Sequence, residues 1–197
     1  MDLIRKRQLE YFVAEKPLGA VNGDGAFIST YADQLFVCIM DGAGHGEEAN
    51  SVTEASLKFI ASNLDMTLVG LMNALHENLG GTRGGVAIMG RFDYESLLFH
   101  YVGIGNIFLR KIGDISEQKL IQDGVIGYHI RTPQEKCLQM SEGDVLILHS
   151  DGLTSHFDIG DYPNIRWDDA KTIANNLITK FETGTDDSIC LVLRVNS

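Results

Sequence analysis

The sequence predicts an α+β fold, and three observations point to it. Strand-like runs come in consecutive groups joined by hairpin-length turns, helical stripes gather in only two places, and no linker, repeat or low-complexity segment divides the 197 residues. That order belongs to α+β folds and not to βαβ alternation, and the length suits one domain over residues 1–197.

The chain opens with mixed residues in which Leu9, Tyr11 and Val13 recur at every second position, the period of a strand. Residues 17–25 hold Pro17 and the tetrad NGDG, a turn signal. Residues 26–31 and 35–40 read as two strands of a hairpin turning at 32–34. The second of these, LFVCIM, runs directly into Asp41 and three alternating glycines, Gly42, Gly44 and Gly46. A helix is expected over 47–64, with Ala49, Val52, Ala55, Phe59, Ile60 and Leu64 on one stripe. Glu47 and Glu48 favour its start through the helix dipole. A second helix is expected over 67–79, stopped by Gly80 and Gly81. Strands are then expected at 84–92, 97–103, 106–112, 119–122, 136–140 and 145–149, with Gly-Asp pairs between several of them. A polar loop at 156–166, a helix at 167–181 and a strand at 189–195 complete the chain.

Composition narrows the function classes. Hydrophobic residues make up 44% and charged residues 22%, an ordinary soluble balance. No apolar run is long enough to span a bilayer, and the opening MDLIRKRQLEYF lacks the apolar core of a secretory leader. Cys38, Cys137 and Cys190 are odd in number and show no CxxC pairing, which favours free thiols in a reducing cytoplasm. A formal charge of −11 with no compact Lys/Arg block argues against a nucleic-acid partner, and no membrane partner is expected.

Four acidic positions share a pattern. Asp24 lies in NGDG, Asp41 in MDG, Asp151 in SDG and Asp186, followed by Asp187, in GTDDS. A single Asp-Gly is by itself a turn signal. Two apolar strands that both end in Asp-Gly, with an Asp-Asp turn before a third, place several carboxylates at strand ends. An ionised carboxylate at the end of a buried strand is costly unless compensated, and hard cations such as Mg²⁺ or Mn²⁺ take carboxylate, carbonyl and water oxygens.

GDGAF at 23–27, DGAGHGEEA at 41–49, GDVLILHSDGL at 143–153 and TDDSICLVL at 185–193, in that order, resemble the motif set of the metal-dependent protein phosphatases, the PPM superfamily. The DGxGHG and SDG forms are similar to its bacterial SpoIIE-like branch, and the short chain is similar to the stand-alone phosphatases of the stressosome. The resemblance implies two stacked antiparallel sheets flanked by helices, a four-layer α-β-β-α sandwich. It implies that Asp41 bridges two Mn²⁺ or Mg²⁺ ions, that the Gly42 carbonyl serves one of them, that Asp151 and Asp186 complete the other site, and that Asp24 binds the second ion directly or through water. Asp187 is expected to orient its neighbour or the turn. A hydroxide shared by the ions would attack phosphorus, so no Ser, Cys or His nucleophile is required. Asp41 and Asp151 are then the catalytic carboxylates, and His45 is a candidate acid. The implied substrates are phosphoserine and phosphothreonine residues of STAS-domain stressosome proteins, whose dephosphorylation would reset a bacterial stress pathway. A phosphatase acting on an anti-sigma partner switch and a non-catalytic binding module of the same fold are the alternatives.

The chain departs from the family in two places. Ala43 stands where the eukaryotic-type enzymes carry a histidine, and residues 16–23 contain no arginine to grip phosphate, leaving Arg83 of GGTRGG as a candidate. GGTRGG lacks the GK[ST] ending of a P-loop. His76, His100, His129, His149 and His156 show no ligand spacing, and Trp167 is expected to pack at a helix start.

Overall fold

A computed structural model describes residues 9–196. The opening residues on which the expectation about a leader rests lie mostly outside that range. Two five-stranded antiparallel sheets are stacked face to face. The first is built from β1 (Leu9–Lys16), β6 (Phe108–Ile112), β7 (Glu117–Lys119), β11 (Val145–His149) and β12 (Ser188–Val195), in the order β1-β12-β11-β6-β7. The second uses β2 (Asp24–Tyr31), β3 (Gln34–Gly42), β4 (Gly85–Asp93), β5 (Leu98–Ile104) and β10 (Lys136–Gln139), in the order β10-β5-β4-β3-β2. Helices α1 (Gly46–Ala61) and α2 (Leu68–Asn78) cover the outer face of the second sheet, and α3 (Ala170–Phe181) covers the first. The four-layer α-β-β-α expectation is met.

Period-two alternation assigns each strand's side chains to layers. In β3, Leu35, Val37 and Ile39 enter the core between the sheets, while Phe36, Cys38 and Met40 pack under α1 and α2. All six are fully buried, which is why LFVCIM reads as one unbroken apolar run. In β12, Ile189, Leu191 and Leu193 face the other sheet, and Cys190 and Val192 face α3. Both strand cysteines are buried free thiols, with burial pushing their pKa upward, whereas Cys137 is free and exposed. No helix of the described residues is long and apolar enough to cross a membrane.

Boundaries moved where local chemistry decided them. The last helix starts at Ala170, not at 167, because the Asp169 carboxylate caps it by accepting from the Thr172 amide at 2.8 Å, leaving Trp167 outside and 78% exposed. The strand expected at 119–122 lies at Glu117–Lys119, where its pairing with β6 sets the register. A two-stranded ribbon, β8 (Gly124–Val125) with β9 (His129–Ile130), was not expected. The stripe of α1 is rotated. Ala55 is exposed, while Thr53 and Ser56 are buried because their hydroxyls have carbonyl partners, Gly23 O at 2.5 Å and Val52 O at 2.7 Å. The first helix stops at Ala61, short of 64, and the carbonyls of Leu64 and Met66 beyond it accept from Arg91 Nη2 at 2.8 and 2.6 Å.

The β2–β3 hairpin turns on Ala32 and Asp33, with φ of 48° and 61° between the paired Tyr31 and Gln34. Two left-handed residues make the type I′ turn that matches strand twist, and alanine bears it at a steric cost. Ala32→Asn is therefore expected to stabilise the protein by up to about 1 kcal/mol. Thermal melting should register this as a rise of roughly 2–4 °C.

Candidate active site

The four acidic positions arrive from both sheets at one end of the sandwich. Asp24 and Asp41 are direct cross-strand partners where β2 begins and β3 ends. Asp151 follows β11, and Asp186 and Asp187 precede β12. Because β11 and β12 are adjacent in the first sheet, their acidic ends lie side by side. A hydroxyl joins the two sheets. Ser150 Oγ, fully buried, donates to Asp24 Oδ2 at 2.7 Å and accepts from the Ile189 amide at 3.1 Å.

Electrostatics shows how closely these groups are gathered. Burial is the main force raising the Asp41 pKa, and the carboxylates of Asp24, Asp151, Asp186 and Asp187 add to it. Asp24 is also raised, first by burial and then by Asp187, Asp186 and Asp151, against the opposing hydrogen bond from Ser150. Asp151 is raised by burial and by Asp186, while the amide of Asn106, donating to Asp151 Oδ2, pulls the other way. Like charges and desolvation both disfavour ionisation. Among the described residues no ion pair with Lys or Arg reaches Asp24, Asp41, Asp151 or Asp186, so like-charged carboxylates are concentrated here.

Hydrogen bonds hold the frame. Asp187, only 3% exposed, accepts from the amides of Leu18 at 2.7 Å and Gly23 at 2.8 Å, so it positions the loop that carries Asp24. These contacts lie in the loop before β2 and not in its own turn, where Asp187 was expected to act. The Gly23 carbonyl accepts from Thr53 Oγ1 and from the Gly42 amide at 3.2 Å, tying β2, β3 and α1 together beside Asp41. The glycines after Asp41 and Asp151 are required by close approach. A Cβ at Gly42 would meet the Ala49 carbonyl oxygen at 2.3 Å, and one at Gly152 would meet the Asp187 carbonyl oxygen at 1.9 Å.

Asp24, Asp41, Asp151 and Asp186 are therefore brought together, with Gly42 buried among them and Asp186 exposed at the rim. His45 stands apart as the N-cap residue of α1, exposed and with no side-chain hydrogen bond to the helix. Asn106 and Ser150 are functional candidates that sequence reasoning missed. Asn106 meets Asp151 because β6 pairs with β11, Phe108 opposite His149, and no local motif announces that register. Ser150 had the signal of sitting directly before Asp151. Three of the remaining histidines have structural places, while His129 and His156 are exposed. His76 Nδ1 accepts from the Gly127 amide at 3.0 Å, His100 pairs with Glu135, and His149 stacks on Phe108 with ring centroids 4.9 Å apart.

The donor set is all hard oxygen, the ligand chemistry of a hard divalent cation. Among the described residues no group of three or more Asp, Glu, His or Cys side chains stands close enough to hold a metal ion by itself, so backbone carbonyls and waters would have to complete the coordination. An open carboxylate site in which ions keep several waters is the usual manner of Mg²⁺.

The family model for stage II sporulation protein E (SpoIIE) matches residues 31–196. Three solved structures share the fold at high similarity. One, described as the bacterial stressosome, a modular system adapted to control secondary messenger signaling, is 26% identical, with a TM-score of 0.85 over 95% of this chain and 100% of that one. RsbX in complex with magnesium is 18% identical, with a TM-score of 0.82 over 95% and 96%. The PP2C phosphatase domain of SpoIIE from Bacillus subtilis, with a fragment of its regulatory domain, is 18% identical, with a TM-score of 0.78 over 95% of this chain and 63% of that one. No curated protein matches the sequence. With the family pattern running across both sheets and through all but one of the gathered acidic positions, the chain belongs to the SpoIIE family and is a PP2C-type serine/threonine protein phosphatase.

Proposed function

We propose that the protein is a Mn²⁺- or Mg²⁺-dependent phosphatase whose substrates are phosphoserine and phosphothreonine residues of STAS-domain proteins in a stressosome, and that it resets a stress-signalling pathway in the cytoplasm. The observation that carries the metal dependence is the meeting of Asp24, Asp41, Asp151 and Asp186 at the joint ends of two sheets, with the ionisation of Asp24, Asp41 and Asp151 opposed by burial and by the carboxylates beside them. Similarity to a chain of a stressosome structure and to RsbX supports the setting.

In this reading Asp41, Asp151, Asp186, Asp24 and the Gly42 carbonyl would hold two ions, with Asp41 shared between them. Bound there, the ions would supply a nucleophilic water at neutral pH and positive charge for the phosphoryl oxygens. The chain's own residues do the positioning. Ser150 holds one oxygen of Asp24, Asn106 holds one oxygen of Asp151, and Asp187 fixes the loop before Asp24. The Ser150 and Asn106 bonds fix how the carboxylates of Asp24 and Asp151 are oriented. His45, exposed at the start of α1, would be the candidate acid for the departing serine or threonine oxygen.

The test is hydrolysis of p-nitrophenyl phosphate and of a phosphorylated STAS-domain protein, after chelator treatment and with Mn²⁺ or Mg²⁺ restored. The expected result is activity that needs the added ion and is highest on the STAS protein. Equal activity in chelator would sink the metal-dependent mechanism, and indifference to the STAS protein would sink the substrate assignment.

A further inference from the structure

The proposed reaction brings a phosphomonoester dianion to a cleft lined by carboxylates on a chain of formal charge −11. Resting on that reading, the geometry points to Arg83 as the residue that binds the substrate phosphoryl group. The β3–β4 ladder runs Asp41 opposite Val86 and Gly42 opposite Gly85, and it continues one step further in the bond from the Ala43 amide to the Gly84 carbonyl at 3.0 Å. The same register carries Arg83 to Gly44, three residues past Asp41, at most about 11 Å of chain away.

The guanidinium does lie there. A Cβ on Gly44 would stand 2.9 Å from Arg83 Nη1, so glycine, at φ of 95°, leaves the space that the cation occupies. The loop that presents Arg83 is built and not loose. Thr82 Oγ1 donates to the Leu79 carbonyl at 2.7 Å and accepts from the Gly84 amide at 3.0 Å, and Gly85 exchanges backbone bonds with Ile126. The positive φ of 69° at Gly84, with the Ile126 carbonyl oxygen only 2.1 Å from where a Cβ would be, explains the glycine that follows Arg83.

Arg83 is ion-paired with Glu48, and both side chains are more than half exposed, at 54% and 69%. A pair that exposed holds weakly. A phosphomonoester dianion offers the planar guanidinium the same two parallel charge-assisted hydrogen bonds that a carboxylate can, and brings more negative charge. Glu48 therefore parks the guanidinium beside the DGAGHG loop until a phosphoryl group displaces it. The site belongs to this chain's own pattern, since residues 16–23 have no arginine.

The test compares wild type with Arg83→Ala, Arg83→Lys and Glu48→Gln. Inorganic phosphate binding is followed by calorimetry in Mg²⁺, and KM and kcat are followed with p-nitrophenyl phosphate in Mn²⁺. Arg83→Ala is expected to weaken phosphate binding and raise KM by about 10- to 100-fold, the worth of a charged hydrogen bond. Its kcat should stay within about threefold, since the contact is made in ground and transition state alike. Arg83→Lys should recover part of the loss, and Glu48→Gln should tighten phosphate binding. A merely structural arginine predicts instead a fall in kcat with no rescue by lysine, and that result overturns the assignment. Unchanged phosphate binding in Arg83→Ala, or none in wild type, overturns it too. If wild type hydrolyses nothing yet its phosphate binding falls in Arg83→Ala, the proposed activity fails and the phosphate site stands. If hydrolysis is ion-dependent and Arg83→Ala alters nothing, the activity stands and the site falls.

Discussion

Asp41→Asn lowers Mn²⁺-dependent phosphatase activity by about a thousandfold or more while leaving the fold intact. The size follows from what the carboxylate is proposed to do. Asp41 stands between Asp24 across the hairpin and the Asp151–Asp186 pair of the other sheet, so its removal weakens both ion sites at once. Metal charge contributes several kcal/mol at the transition state, and each 1.36 kcal/mol is a factor of ten in rate. The fold should survive because asparagine has the same shape and carries no charge to desolvate. In chelator the variant is expected to melt no lower than wild type, since a buried carboxylate among like charges opposes folding. With Mn²⁺ only wild type should gain further stability, by mass action. A variant retaining a tenth of wild-type activity would show that Asp41 is not the bridging ligand.

The ion-free protein loses stability as pH rises from about 5 to 9, and Mn²⁺ reverses the trend. Burial first, then the surrounding carboxylates, push Asp24 up to about 7 and Asp41 up to about 9. In the unfolded chain both lie near 4. Between those limits the folded state binds more protons than the unfolded state, so the stability these groups contribute is complete below about pH 4 and disappears as pH rises through the folded values. The two titrate as an interacting set, so the loss should be broad. Melting temperatures in chelator at pH 5.5, 7 and 9 measure it, and Asp41→Asn isolates it, because the variant should show a visibly flatter slope. A divalent cation replaces the protons and binds the ionised groups more tightly at higher pH, so stability in Mn²⁺ should rise over the same range until the carboxylates are fully ionised. Parallel slopes for wild type and variant in chelator would show that the carboxylates are not the groups responsible.

How much of this was readable in the residues follows from where each determinant lies. LFVCIM and VLILH announced themselves because both faces of each strand are buried, and the Asp-Gly that follows each marked where it stops. The α3 face of Ala170, Ile173, Ala174, Leu177 and Ile178 was legible because one stripe meets one sheet. Thr53 and Ser56 were invisible as core residues, since an apolar stripe cannot show that a hydroxyl has found a carbonyl, in Thr53's case one thirty residues away. Asn106 escaped for the same reason, its link to Asp151 existing only through sheet register. The glycines of the Asp-Gly pairs were read as turn formers. Those at 42 and 152 are instead places where another backbone passes too close for a side chain.

The position of β12 bears on when the protein becomes active during its synthesis. Of the twelve described strands it is the last to leave the ribosome, yet it lies inside its sheet, between β1 and β11. Until residues 188–195 emerge, β1 and β11 have no neighbour to join them, Ser150 lacks the Ile189 amide, and Asp186 and Asp187 have no strand to hold them. The hairpin that pairs Asp24 with Asp41 can form early, from residues close in sequence. Activity thus waits on residues 188–195, and a product that lacks them exposes open edges on β1 and β11 in place of a phosphatase, a form suited to chaperones and proteases.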